Sequence, residues 1–158
     1  MKIALGSDHA GFELKEYLSG KISALDHEVI DLGAHSYDPH DDYPDFAERV
    51  GQAVATHEVD RGVVICGSGV GASIAANKIV GVRAGICTDT YSAHQGVEHD
   101  DMNVLVLAAR ITGIEVANEI LVNFLRAEFS GEERHVRRLN KVLLIERNSL
   151  EGLEHIEE

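Results

Sequence analysis

A chain of 158 residues with 27 acidic and 14 basic side chains carries a formal charge of −13, which excludes general binding to nucleic acid or to an anionic membrane surface, because its far field repels polyanions. No apolar run approaches the roughly 20 residues that a membrane-spanning helix needs, and two cysteines outside any paired motif, in a chain that enters a strand with no signal peptide, point to the reducing cytoplasm. The length suits one domain with its own core, expected over residues 1–150, followed by an acidic, mobile tail over 151–158.

Lys2 to Gly6 reads as a first strand, and Phe12, Leu14, Leu18, Ile22 and Leu25 then recur at helical spacing. Between them stands the turn Gly6-Ser7-Asp8-His9-Ala10-Gly11. Val29 to Gly33 reads as a second strand, followed by a polar loop holding Asp38, Asp41, Asp42 and Asp45. Pro44 marks the first turn of a helix whose apolar stripe is Phe46, Val50 and Val54. Gly62 to Cys66 is a continuous apolar run suited to a strand buried on both faces, and it leads into a second turn, Cys66-Gly67-Ser68-Gly69-Val70-Gly71. A short helix from Ala72, a strand over Val82 to Cys87, a helix from about Tyr91 and a strand over Asn103 to Leu107 follow. Ile114, Ala117, Ile120, Leu121, Phe124 and Leu125 give the next helix a broad apolar face, and a last helix runs from near Glu132 to Asn148. Alternating strands and helices predict a doubly wound, Rossmann-like α/β fold: a five-stranded parallel sheet, helices on both faces and a C-terminal helix. Such sheets bind ligands at the carboxyl ends of their strands, so both turns are expected at one edge.

Gly67, Gly69 and Gly71 let backbone come close to a ligand while amides point outward at a helix N-terminus, a nest that favours a negative oxygen. The same residues through Ala72 fit a dinucleotide pattern, with Asp89 in reach of a ribose hydroxyl, although that pattern normally follows the first strand and here follows the third. A turn that merely packs helix on strand fits as well. Cys66 stands where the helix dipole favours a thiolate, which can act as base or nucleophile. A cysteine closing a Val-Val-Ile run also fits core packing, the role expected of Cys87. Asp8 and His9 form an acid/base pair, and Asp8 fits a helix cap too. His99 precedes the fifth strand and falls at the opposite end of that strand from the two turns, where it could serve a neighbouring subunit or stand as a solvated loop residue. His94 and His99 are too poorly aligned on a helix for a zinc site. Arg134 and Arg138, one helical turn apart, suit a phosphate, and equally suit ion pairs with Glu132, Glu133 and Glu146.

Taken in order, Gly6 to Phe12, Asp42-Tyr43-Pro44, Ile65 to Gly71, Ala75 to Lys78, His99 through Leu105 and Arg134 to Arg138 resemble the ribose-5-phosphate isomerase B family, which includes galactose-6-phosphate and allose-6-phosphate isomerases. The resemblance extends to about Arg147. It implies reversible aldose–ketose interconversion of a phosphorylated sugar through an enediolate, without metal or cofactor. Cys66 occupies the position of the family's catalytic base. Ser68 and the amides of Gly67, Gly69, Val70 and Gly71 would stabilise the developing oxyanion, and Asp8 with His99 would open the cyclic sugar. His9, Arg134 and Arg138 would hold the phosphate, with Arg110 assisting and Tyr43 lining the sugar pocket. The resemblance also implies a homodimer whose sites draw on both subunits, with a tetramer as the larger alternative. Many ribose-phosphate members carry asparagine after the site histidine, whereas Asp100 stands here. A carboxylate cannot donate as an amide can, so the departure opens four-carbon and six-carbon phosphates as alternative substrates. Two other functions remain open on the residues alone: nicotinamide binding, which uses only the glycine turn and Asp89, and a non-catalytic sugar-phosphate sensor, which does not need Cys66.

Overall fold

Five strands form an all-parallel sheet in the computed structural model, which describes residues 1–154: β1 (Lys2–Ser7), β2 (Glu28–Asp31), β3 (Arg61–Cys66), β4 (Ala84–Ile86) and β5 (Val104–Ala108). The helices are α1 (Phe12–Ala24), α2 (Tyr43–Ala55), α3 (Val70–Ala76), α4 (Thr90–Asp100), α5 (Ile114–Arg126) and α6 (Glu133–Glu154). The expected doubly wound α/β fold is what the chain forms. No helix among the described residues is long and apolar enough to cross a membrane.

Side chains alternate across a strand, and both faces of the central strands are apolar. Ile3, Leu5, Val63, Ile65, Leu105 and Leu107 face Leu14, Leu18 and Ile22 of α1, Val97 of α4 and Ile120, Leu121 and Phe124 of α5. Ala4, Val64, Cys66, Val104 and Val106 turn the other way, against Ala47, Val50 and Val54 of α2 and Ala72 and Ala76 of α3. Each fully buried large aliphatic side chain contributes about 1.5–3 kcal/mol. Lys15 of α1 is buried, and its ammonium donates to Asp31 at 2.6 Å, which fastens α1 to the end of β2.

The strand order is β2-β1-β3-β5-β4. The direction of winding therefore reverses between β1 and β3, where Ser7 lies in register with Ile65. Doubly wound sheets hold ligands in the crevice at such a switch point.

Several element boundaries differ from the sequence expectation. The helix expected from Ala72 starts at Val70, because Gly69, at φ 78°, takes the left-handed conformation that turns the chain there. The strand expected over Val82 to Cys87 shortens to Ala84–Ile86, since Val82 N–H is taken by the Ile79 carbonyl and Arg83 N–H by the Asn103 side chain. On its open edge Asn77 stands in for a strand, donating to the Ala84 carbonyl and accepting its N–H, both at 2.9 Å. The last helix, expected to stop at Asn148, runs through Glu154, so residues 151–154 of the expected mobile tail are helical. Residues 155–158 lie outside the described residues.

Candidate active site

β1 ends in Ser7, and a 3-10 turn over His9–Gly11 follows, capped by Asp8, whose carboxylate accepts the Gly11 N–H at 3.1 Å. A Cβ on Gly11 would stand 2.6 Å from the Ile65 carbonyl oxygen. The bare α-carbon therefore lets the turn lie directly on the end of β3. There, a Cβ built on Gly67 meets Ala10 Cβ and Arg110 Cδ at 3.5 Å, so the two turns the sequence singles out are in contact beside an arginine.

Asp8 is 7% exposed. Burial pushes its carboxyl above the usual range, opposed by the Gly11 N–H and His9 and reinforced by Asp41. Such a carboxyl exchanges protons nearer neutrality than a surface aspartate does. His9 Nδ1 lies 2.6 Å from Asp41 Oδ1, which also accepts the His9 backbone N–H at 3.0 Å. An ionised carboxylate only accepts, so the proton sits on Nδ1 and Nε2 is left for a ligand. Asp41 is absent from the residues selected on sequence. One aspartate among several in a polar loop gives no sign that it turns inward, and the only available hint was its place after β2, at the edge where ligands bind. One ligand atom each from Asp8, His9 and Asp41 lie within 4.8 Å of one another, close enough to hold a metal ion. Burial disfavours the charged form of Asp8 that a cation would need, and His9 already bonds Asp41, so the trio is better suited to sharing protons.

Cys66 is 6% exposed and its thiol is free. It packs in the cluster of Val64, Ala72 and Val106 while closing β3 at the switch point, so the packing expected of it does not take it away from that edge. Ser68 is exposed, and its hydroxyl accepts the Val70 N–H at 3.4 Å. The first N–H groups of a helix have no partner inside it, so the turn from Gly67 to Gly71 presents donors next to the thiol. Tyr43, the first residue of α2, lies over that turn: a Cβ on Gly71 would meet its Cζ at 2.5 Å. Arg110 is anchored by its own N–H to the Gly67 carbonyl at 3.0 Å.

Cys87 is buried, and desolvation pushes its thiol up to about 11, with Asp89 adding to the shift. Asp89 caps α4, accepting from Ser92 N–H at 2.7 Å and from its hydroxyl at 2.8 Å. Those hydrogen bonds hold its carboxyl below the usual range. The acid that dinucleotide binding needs is thus engaged in a cap.

His99, Asp100, Arg134 and Arg138 form a second group, apart from the first. His99 and Asp100 end α4, which returns the chain to the amino end of β5. A five-residue strand at about 3.3 Å per residue separates the two edges by roughly 17 Å. Ser130 N–H bonds the Glu98 carbonyl at 3.0 Å, bringing the start of α6 against α4. His99 stacks on His135, ring centroids 4.0 Å apart. Arg134 Nε donates to Glu132 at 2.9 Å, the ion pair weighed on sequence.

A model of the family described as Ribose/Galactose Isomerase matches residues 3–142. The chain is 45% identical over 145 residues to ribose-5-phosphate isomerase B of Escherichia coli, covering 92% of this chain and 96% of that protein. It is 35% identical over 148 residues to D-erythrulose-4-phosphate isomerase 2 of Mycolicibacterium smegmatis, covering 92% and 97%. The solved ribose-5-phosphate isomerase B of Clostridium thermocellum superposes with a TM-score of 0.91 at 46% identity, over 94% of this chain and 99% of that one.

Proposed function

The chain belongs to the Ribose/Galactose Isomerase family, and from that premise we propose that it is a cytoplasmic enzyme interconverting ribose 5-phosphate and ribulose 5-phosphate through an enediolate, with Cys66 as the base and no metal or cofactor. The observation that carries this reading is the contact of the two turns at the β1/β3 switch point, through Gly11 on Ile65 and Gly67 on Ala10. It gathers a thiol, an elevated carboxyl and a row of amide donors in one place.

In this mechanism the Cys66 thiolate takes the C2 proton of the open aldose and returns a proton to C1. Negative charge develops on the substrate oxygens, where the amides of Gly67, Gly69, Val70 and Gly71 and the Ser68 hydroxyl meet it; donors fixed in advance are worth most at such a point. Tyr43 lines the sugar pocket. His9, through the Nε2 left free by Asp41, holds the phosphate with Arg110 and with Arg134 and Arg138 of a second copy. Asp8 and the second copy's His99 open the ring. The working unit is a homodimer with shared sites, alone or paired into a tetramer.

Asp100 beside His99, together with a relative named for erythrulose 4-phosphate, favours a four-carbon phosphate as the second reading. The test is turnover of ribose 5-phosphate beside erythrulose, allose and galactose phosphates, by the wild-type chain and by Cys66→Ala. Loss of ribose 5-phosphate turnover by about 10⁴-fold or more in the variant supports the reading. Turnover of another phosphate alone moves the substrate, and binding without turnover makes the protein a sensor.

A further inference from the structure

The position of His135 beneath His99 is unexplained by the roles assigned so far. His135 is polar yet 1% exposed, on the first turn of α6. Its Nδ1 lies 2.6 Å from Ser130 Oγ, and its buried Nε2 has no hydrogen-bond partner among the described residues. Burying an unpartnered polar group costs stability, so packing alone would favour an apolar ring here. What the site gains is a flat face under His99, at 4.0 Å between centroids and 26° between planes. Ser130 ties this support to α4 by its own N–H to Glu98 and accepts the Glu132 N–H at 3.2 Å.

We propose that His135 is the positioning residue for sugar-ring opening: its stack, together with the Gln95 amide, fixes the plane and the tautomer of His99. This rests on the isomerase reading above, in which His99 opens the cyclic sugar. Gln95 Nε2 lies 3.1 Å from His99 Nδ1. An amide nitrogen only donates, so Nδ1 accepts and Nε2 carries the proton. That N–H donates a hydrogen bond to the ring oxygen O4 as the C1–O4 bond breaks, while Asp8 takes the proton of O1 and C1 becomes an aldehyde; the O4 alkoxide then takes the proton from Asp8, so Asp8 and His99 end as they began. Burial holds His135 below the usual histidine range, aided by His99, Arg134 and Arg138 and opposed by Glu132.

Ribose 5-phosphate closes through O4, but ribulose 5-phosphate forms no five-membered ring, because its O5 carries the phosphate. The two substrates therefore separate ring opening from proton transfer. The experiment compares steady-state turnover of ribose 5-phosphate with uptake of solvent deuterium into ribulose 5-phosphate. Wild type, His135→Leu, His135→Phe and Gln95→Leu are measured, each with its Tm. His135→Leu and Gln95→Leu are expected to lose about 10- to 100-fold in ribose 5-phosphate turnover, with deuterium uptake within about threefold. His135→Phe, which keeps a flat ring, recovers ribose turnover to within a few-fold. Equal loss of both readouts, or loss of neither, overturns the assignment. So does a wild-type enzyme active only on acyclic four-carbon phosphates, which have no ring to open. A wild-type chain inactive on every sugar phosphate fails the isomerase reading itself, a result distinct from any effect of His135.

Discussion

Burial holds the Asp8 carboxyl above the usual 3.8 of an aspartate, so between those two values the folded chain binds a proton that the unfolded chain has released. Stability then falls as pH rises through that window and stays lower at neutral pH. Asp8→Asn keeps an oxygen for the Gly11 N–H and removes the buried charge. The variant is expected to melt higher than wild type near pH 7, to lose that advantage below the ordinary carboxylate range, and to lose turnover of the cyclic sugar. Thermal unfolding of both proteins at about pH 7 and about pH 3 checks it; a variant that melts lower at neutral pH would show that Asp8 is held as a structural cap. Asp8, His9 and Cys66 were legible in the sequence because each directly follows or closes an apolar run. Asp41 and His135 were not, since both roles come from pairing across the fold, with His9 32 residues away and with a ring at the end of another helix.

Among the elements, the two glycine turns respond to substitution in opposite ways. At Gly11 an added Cβ meets the Ile65 carbonyl oxygen at 2.6 Å and its carbon at 2.7 Å. A β3 backbone atom cannot yield, so Gly11→Ala should cost about 3 kcal/mol or more in urea unfolding. At Gly71 the obstacle is the ring of Tyr43, which is 40% exposed and free to swing outward. Gly71→Ala should therefore stay within about 1 kcal/mol of wild type, while displacing Tyr43, the residue proposed to line the sugar pocket, should raise KM about tenfold with less effect on kcat. Equal destabilisation by both would mean that Tyr43 is locked in place. The order of elements could be read because apolar runs and glycine turns alternate without interruption. The ends of β4 could not, because side chains of Asn77 and Asn103 replace backbone partners there, and such substitutions leave no periodic trace.

Across the whole molecule, the candidate residues divide between the two edges of one sheet. Asp8, His9, Tyr43, Cys66 and Arg110 stand at the carboxyl end, and His99, Asp100, Arg134 and Arg138 belong to the other end. That division follows from parallel topology, and it was legible once His99 was placed just before a strand. No bending of a packed sheet joins the groups, whereas in the proposed homodimer a second copy related by a two-fold axis would set one edge of each chain against the other edge of its partner and complete two identical sites. Two chains of −13 repel at long range, so short-range burial must hold them. Val70 and Ile74 of α3 and Val142 and Ile145 of α6 leave apolar surface exposed for it. If sites are shared, Cys66→Ala and Arg134→Ser are each nearly inactive alone, since every site in either homodimer has one lesion. Unfolded together and refolded, equal amounts pair at random, and half the dimers are mixed. A mixed dimer has one site with both lesions and one with neither, so the mixture should regain about a quarter of wild-type activity. A mixture that stays at the level of its parents would place both groups in one chain's site and require the two edges of the sheet to meet some other way.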